Sequence, residues 1–284
     1  MIDIKDRICD VVADKVMSAE AAAEFVQDGY NVGTSGFTPS GYPKAVPLAL
    51  AERAKTAPFK IDSALVDVVN RRLPYQTNND MRKAINCGKV KYTDLHLSHV
   101  AQMSRYGFYE NRRDVDVAIV EVCKIIDLGE GKVGLIPTTS MGNSSSFVQS
   151  AKKVIVEVNV TQPVALEGMH DSYVPLDPPC RQPIPVVDSG TIIGTPYIPC
   201  ELEKIAAVVA CDITDTEKLD ELIGERLRTE LVEQVELLDG ACFDFDLDAV
   251  RHGKLSPVFF GSALNNFGVE PFLEHFLKMT TSPL

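Results

Sequence analysis

No stretch of the 284 residues approaches the roughly 18 uncharged apolar residues that a membrane span needs. The longest apolar runs, such as residues 205–211, have the length of strands. A basic excess is also lacking: 28 Lys and Arg stand against 40 Asp and Glu, a formal charge of −12. That balance argues against a large nucleic-acid footprint, which needs clustered cations to displace counterions. It leaves room for a small anion in a local pocket. The seven cysteines form no CxxC or CxxH pair and read as reduced thiols of a cytoplasmic protein. The opening MIDIKDRICD has no apolar centre and does not read as a signal peptide. The GxxxxGKS/T and GxSxG patterns are both missing, which removes the common phosphate-loop and nucleophile-elbow sites.

What is present is ordinary globular material, 45% hydrophobic and 24% charged. Residues 115–122 (VDVAIVEV), 154–158 (VIVEV) and 205–211 (IAAVVAC) are apolar at nearly every position. Such runs suit strands buried on both faces of a parallel sheet. Helical patterns alternate with them, at 19–29 after a Ser18 cap, at 44–55 with Pro47 in the first turn, at 79–87 and at 144–152. The expected fold class is therefore α/β, an open α/β/α sandwich with a mostly parallel sheet. Eight of the 17 prolines crowd between Pro163 and Pro199, which predicts an irregular, extended surface stretch.

Two loops stand out before helices. Residues 35–44, SGFTPSGYPK, offer glycines for a tight turn, amides at the next helix start, and the Lys44 charge for an anion. Residues 137–146, PTTSMGNSSS, offer hydroxyls and an amide that could hold a carboxylate, or simply Asn143 or Ser144 as a helix cap. Arg71 and Arg72, beside Tyr75, could grip a carboxylate or form an exposed basic turn. His96 and His99 sit three apart but have no third ligand near in sequence, so no metal site is assigned.

The segments VGTSGFTPSGYPKAVPLALAERA, RRLPYQTNNDMRKAIN, LHLSHVAQM, VDVAIVEV, IPTTSMGNSSSFVQSAKKVIVEVN, LEGMHDSYVP and IGTPYIPCELEKIAAVV run in order from about residue 10 to 215. Together they resemble the N-terminal domain of the acetyl-CoA hydrolase/transferase family, in the branch of succinyl-CoA:acetate and propionate CoA-transferases. The resemblance implies a cytoplasmic enzyme that moves coenzyme A between short carboxylic acids, with acyl-CoA and carboxylates as partners, no nucleic acid, no membrane, and homo-oligomerisation as an option. It implies that Gly36, Phe37, Thr38, Gly41, Lys44, Thr77, Gly142 and Asn143 line the carboxylate side of the pocket. It also implies a Glu nucleophile on a second domain, which forms acyl-glutamyl and glutamyl-CoA intermediates. No such domain is recognisable in this sequence. No catalytic residue is assigned, and the chain is expected to be inactive alone. A connection shorter than the family's, between residues 62 and 71, alters one expected wall of the pocket.

Residues 216–284 read as a separate domain. Residues 217–284 hold 13 acids and 6 bases, a far denser negative charge than the part before them. A helix is expected over 219–238, then a strand at 256–260, a GSALNNFG loop and a short helix. From about residue 219 the tail resembles the end of the GTPase domain of peptide-chain release factor three. That resemblance implies a guanine-contacting loop at Ser262, Ala263 and Leu264. The phosphate loop, Mg²⁺ ligands and base-reading motif of a nucleotide site are missing, so GTP binding is expected to fail. The expected origin is a joining of two unrelated genes near residues 212–219.

Overall fold

In the computed structural model the chain divides into two compact units, Met1–Lys218 and Leu219–Leu284. The structure describes residues 2–36, 40–56, 71–72, 79–107, 115–174, 176, 180, 182–215 and 254. The expected tail elements lie outside the described residues, with Ser262, Ala263 and Leu264 among them. Phe37, Thr38 and Thr77 also lie outside.

The first unit is a mixed α/β fold on a mostly parallel sheet. Its strands are β1 (Val16–Met17), β2 (Val32–Thr34), β5 (Val115–Gly129), β6 (Lys132–Pro137), β7 (Ala151–Asn159), β8 (Ile198–Glu201) and β9 (Ile205–Cys211). A separate parallel ribbon joins β3 (Arg71–Arg72) to β4 (Lys91–Tyr92). The helices are α1 (Ala19–Ala23), α2 (Ala45–Thr56), α3 (Asn79–Asn86), α4 (Val100–Tyr106) and α5 (Ser144–Ser150). The main sheet runs β1-β9-β7-β5-β6-β8, and β2 also pairs with β5.

The long β5 explains this branching. Residues 115–122 lie parallel to β7, and residues 117–119 lie parallel to β2. Beyond Val122, β5 continues as one arm of an antiparallel hairpin with β6. Gly129, Glu130 and Gly131 all have positive φ and turn that hairpin tightly. The sequence expectation ended β5 at 122 and contained neither β6 nor β8.

Alternate residues of the core strands enter two separate apolar layers. Val117, Ile119, Ile155, Ala207 and Val209 pack with Ala22, Ala23, Val26, Val46 and Leu50 from the α1 and α2 side. Ala118, Val120, Val122, Val154, Val156 and Val158 pack with Val12, Phe147 and Val148 on the other. Burial on both faces is why these strands carry no apolar–polar alternation. Each fully buried Val or Ile contributes about 1.5–3 kcal/mol relative to exposure.

Helix α1 is shorter than its sequence pattern. Ser18 caps it, its Oγ accepting from the Ala21 N–H at 3.2 Å. The helix then tightens, Phe25 and Val26 donating to Ala22 and Ala23 three residues back. The Arg53 guanidinium from α2 donates to the carbonyls of Ala23 and Val26. A tertiary donor thus takes acceptors that a longer helix would have used itself. Helix α5 also ends early, at Ser150, because Ala151 already begins β7.

Between β7 and β8 the proline-rich stretch forms only one short helical turn, Val164–Leu166, among its described residues. Asp171 closes its base by accepting from Ile193 N–H at 3.1 Å and Gly194 N–H at 2.7 Å. Ser172 and Thr195 exchange backbone bonds at 2.7 and 3.0 Å. No helix among the described residues is long and apolar enough to cross a membrane.

Candidate functional site

The C-terminal edge of the parallel strands gathers the charged groups. In sheets of this kind that edge is where loops converge and ligands are held. Glu121 of β5 and Glu157 of β7 are partners in register. Both residues are buried, at 4% and 0% exposure. Neighbouring like charges repel, and each buried carboxylate needs compensation.

The fold solves the two problems differently. Glu157 lies at the start of α2, where free amides and the helix dipole favour an anion. It accepts from the backbone N–H of Lys44 at 2.7 Å, Ala45 at 3.0 Å and Val46 at 2.7 Å. Glu121 instead meets a cation. Lys44 Nζ is 2.5 Å from Glu121 Oε2 and 2.8 Å from Asp215 Oδ1, beyond the end of β9. Thr138 Oγ1 and Asn159 Nδ2 also donate to Glu121, at 3.1 and 2.9 Å. Lys44 further donates to the Tyr42 carbonyl at 2.9 Å and lies 4.4 Å from the Tyr42 ring centre.

Burial pushes the Glu157 carboxyl up to about 7, although its three N–H donors pull the other way. Burial raises Glu121 as well, outweighing the Lys44 ammonium. For Lys44 burial acts downward, but Asp215 and Glu121 together hold its pKa above the ordinary value, so it remains a cation.

Glu121, Glu157 and Cys211 bring potential ligand atoms within 4.8 Å of one another. Both carboxylates are already engaged by ammonium, amide and hydroxyl donors. Burial, reinforced by Glu157, pushes the Cys211 thiol to about 12, which keeps it protonated. The trio reads as a neutralised interior cluster.

The two loops singled out by sequence meet at this edge. The Asn143 N–H donates to Ser35 Oγ at 2.7 Å. Gly142 has φ +48°, and a Cβ there would lie 2.4 Å from Ser35 Oγ. Gly41 has φ +66°, and its Cβ would lie 2.0 Å from the Ser140 carbonyl oxygen. The glycines are therefore required by the close approach of one loop to the other.

Gly36, Gly41, Lys44, Gly142 and Asn143 are thus brought together. Lys44 points inward onto carboxylates of its own chain, and the residue is 4% exposed. The expected Asn143 side-chain cap is absent: its side chain makes no cap bond, and its carbonyl receives the Ser146 and Phe147 N–H groups. His96 and His99 stack edge to face, 5.7 Å between centres. A cavity of about 510 Å³ beside α4 is lined, among the described residues, by His99, Gln102, Met103 and Tyr106.

Sequence reasoning gave Glu121 and Glu157 no role because they lie on strands, placed Thr138 only within the hydroxyl-rich loop, and missed Asn159, Gln162 and Asp215. A signal existed for the first two. Glu157 is the lone charge in its apolar run and Glu121 one of two, with Asp116, in its own, and a charge forced into a buried strand requires a partner.

Residues 10–210 match the family model described as the acetyl-CoA hydrolase/transferase N-terminal domain. The chain is similar to a succinyl-CoA:acetate CoA-transferase of Clostridium kluyveri, 42% identical over 78% of this chain and 44% of that protein. It is 35% identical to a propanoyl-CoA:succinate CoA transferase of Escherichia coli, over 86% of this chain and 50% of that one. An acetyl-CoA hydrolase of Kluyveromyces lactis is 32% identical, over 85% and 48%. The chain spans about half the length of the relatives it matches.

Proposed function

The chain belongs to the acetyl-CoA hydrolase/transferase family, and from that premise we propose that its first unit is the carboxylate-side half of an enzyme that moves coenzyme A between short carboxylic acids. Acetate, succinate and propionate are the acids concerned, acyl-CoA is the co-substrate, and the compartment is the cytoplasm. The observation that carries this reading is the 42% identity to a succinyl-CoA:acetate CoA-transferase. The two interlocked glycine loops at the sheet edge support it, since they are the segments expected to face the acid. Gly36, Gly41, Gly142 and Asn143 form their described part; Phe37, Thr38 and Thr77 complete the proposed lining.

No carboxylate of the first unit is assigned as nucleophile. Glu121 and Glu157 are buried and held by donors, so neither is free to attack a thioester carbonyl. The acyl-accepting Glu belongs to the length that the relatives have and the chain does not match. The test is CoA transfer from succinyl-CoA to acetate. The chain alone is expected to give no turnover, and the chain joined to the C-terminal half of the Clostridium kluyveri relative is expected to gain it. Turnover by the chain alone would overturn the assignment of the nucleophile elsewhere.

A second reading concerns residues 219–284 only. They resemble the end of a release-factor GTPase domain, and the boundary between the compact units, Lys218 to Leu219, falls where that resemblance begins. The coincidence supports separate origins for the two units. Calorimetry with GTP is expected to show no binding, and single-molecule reading of genomic DNA across codons 211–220 tests the join.

A further inference from the structure

Asp215 lies just beyond β9, and its side chain is 19% exposed. One ammonium and three hydrogen-bond donors, from three segments of the chain, converge on its carboxylate. Lys44 Nζ is 2.8 Å from Oδ1. Gln162 Nε2, Thr139 Oγ1 and the Gly41 N–H point at Oδ2, at 2.9, 3.4 and 3.5 Å. Gly41 and Lys44 belong to the first glycine loop, Thr139 to the second, and Gln162 to the turn after β7.

Few of these donors have an alternative acceptor of the same charge. Lys44 is shared with Glu121, but among the described residues the other three meet no second carboxylate. A charge-assisted bond is about twice as strong as a neutral one, so one anion holds the set better than a neutral acceptor of the same shape. The arrangement is a receptor for a carboxylate, and the chain supplies its own.

We propose that Asp215 is a positioning residue whose side chain is the built-in occupant of a carboxylate cradle formed by Lys44, Gly41, Thr139 and Gln162, and that the cradle accepts a free two-carbon carboxylate once that side chain is removed. The two glycine loops hold their relative position through this bound anion as well as through the Ser35–Asn143 contact. The inference rests on contacts within the first unit and needs no coenzyme A, so it stands or falls separately from the acyl-transfer reading.

The test is chemical rescue. Asp215→Gly deletes a CH₂–COO⁻ group, which acetate replaces atom for atom. The variant is expected to melt below the wild type, to recover with acetate, and to bind ¹³C-acetate by NMR. A four-atom ligand at the usual ceiling of affinity binds no tighter than about 0.04 mM, and few ligands reach that ceiling, so a dissociation constant in the millimolar range is expected. Acetamide, the neutral isostere, separates charge recognition from the filling of a void, and chloride at equal ionic strength controls for screening. Thr139→Val or Gln162→Leu in the Asp215→Gly background is expected to weaken acetate binding about tenfold or more, as for the loss of one hydrogen bond to a charged group. Equal rescue by acetamide, or none by acetate, overturns the proposal. Should Asp215→Gly not fold, Asp215→Asn keeps the volume and loses the charge. It is expected to speed exchange at the Gly41 amide without responding to acetate, and unchanged exchange there overturns the proposal equally.

Discussion

Two regions of the first unit reverse the usual relation between polarity and burial. At the sheet edge Lys44, Glu121 and Glu157 are buried. In the proline-rich arm Met169, Ile184 and Val186 are exposed, at 74%, 60% and 100%. Composition does not explain the contrast. At the edge, strand ends, a helix start and two loops converge, so every charge finds fixed donors or a counter-ion. In the arm the chain is extended and proline-broken, with few described backbone bonds above its clamped base. Where segments converge, charge can be buried. Where one segment runs alone, even valine stays in water. The region with more segments per residue should be the one that substitutions damage.

The strongest way to break that comparison is Lys44→Met. It leaves Glu121 buried without its cation and Asp215 without its closest partner. Removing one member of a buried pair typically costs about 3–5 kcal/mol. Native-state hydrogen exchange on the β5 and β7 amides reads the loss in the unit that carries the site. A loss below about 1 kcal/mol would mean that the remaining donors, Thr138 and Asn159, suffice for Glu121.

Next in size is the pH dependence that Glu157 imposes. Its carboxyl is raised in the fold from an ordinary 4.5 to about 7 by burial. The folded state therefore keeps a proton that the unfolded chain has lost between those values. Stability from this group is fully present below about pH 4.5 and is lost as pH rises towards 7, by roughly 3 kcal/mol. The flanking ionisable groups are Glu121, Cys211 and Lys44. Glu157→Gln cannot titrate, so the difference in urea midpoint between wild type and variant should change across that window and be level above it. A parallel course at all pH would place the titration elsewhere.

Much of the central sheet was legible because β5, β7 and β9 are buried on both faces and show it in their sequence. The strands β6 and β8 were not. Gly134 interrupts the first and Pro199 the second, and neither shows its partner locally. Gly134 is small because a Cβ would come 2.8 Å from the Ile126 side chain, and Pro199 is tolerated on an edge strand. The two loops were legible from their glycines. The charges between them were not, because the register that sets Glu121 beside Glu157, and the link from Gly41 to Asp215 across 174 residues, exist only in the folded chain.

Two glycine substitutions sharpen the contrast at a smaller scale. Gly41→Ala puts a Cβ against the Ser140 carbonyl in a left-handed backbone, and a loss of about 2 kcal/mol or more is expected. Gly190, in the arm, has open space around its Cβ position and no positive φ. Gly190→Ala should be neutral or stabilise by up to about 1 kcal/mol through the unfolded chain. Melting temperatures of the two variants should move in opposite directions or differ clearly in size.

The smallest effect expected is Val186→Ser. Valine at this position is fully exposed, so its methyl groups are hydrated in both the folded and the unfolded chain. The transfer term cancels, no cavity opens, and the new hydroxyl remains in water. Only the β-branched preference for extended backbone is lost, a matter of a few tenths of a kcal/mol. The same change at Val158, fully buried in β7, would lose volume and strand a hydroxyl among Val122 and Val156. If the urea midpoint of Val186→Ser shifts by less than the equivalent of about 0.5 kcal/mol, the arm is as solvent-exposed in solution as in the structure. If the shift exceeds about 1 kcal/mol, something covers Val186 in solution, and the two regions differ in what covers them rather than in whether they are covered.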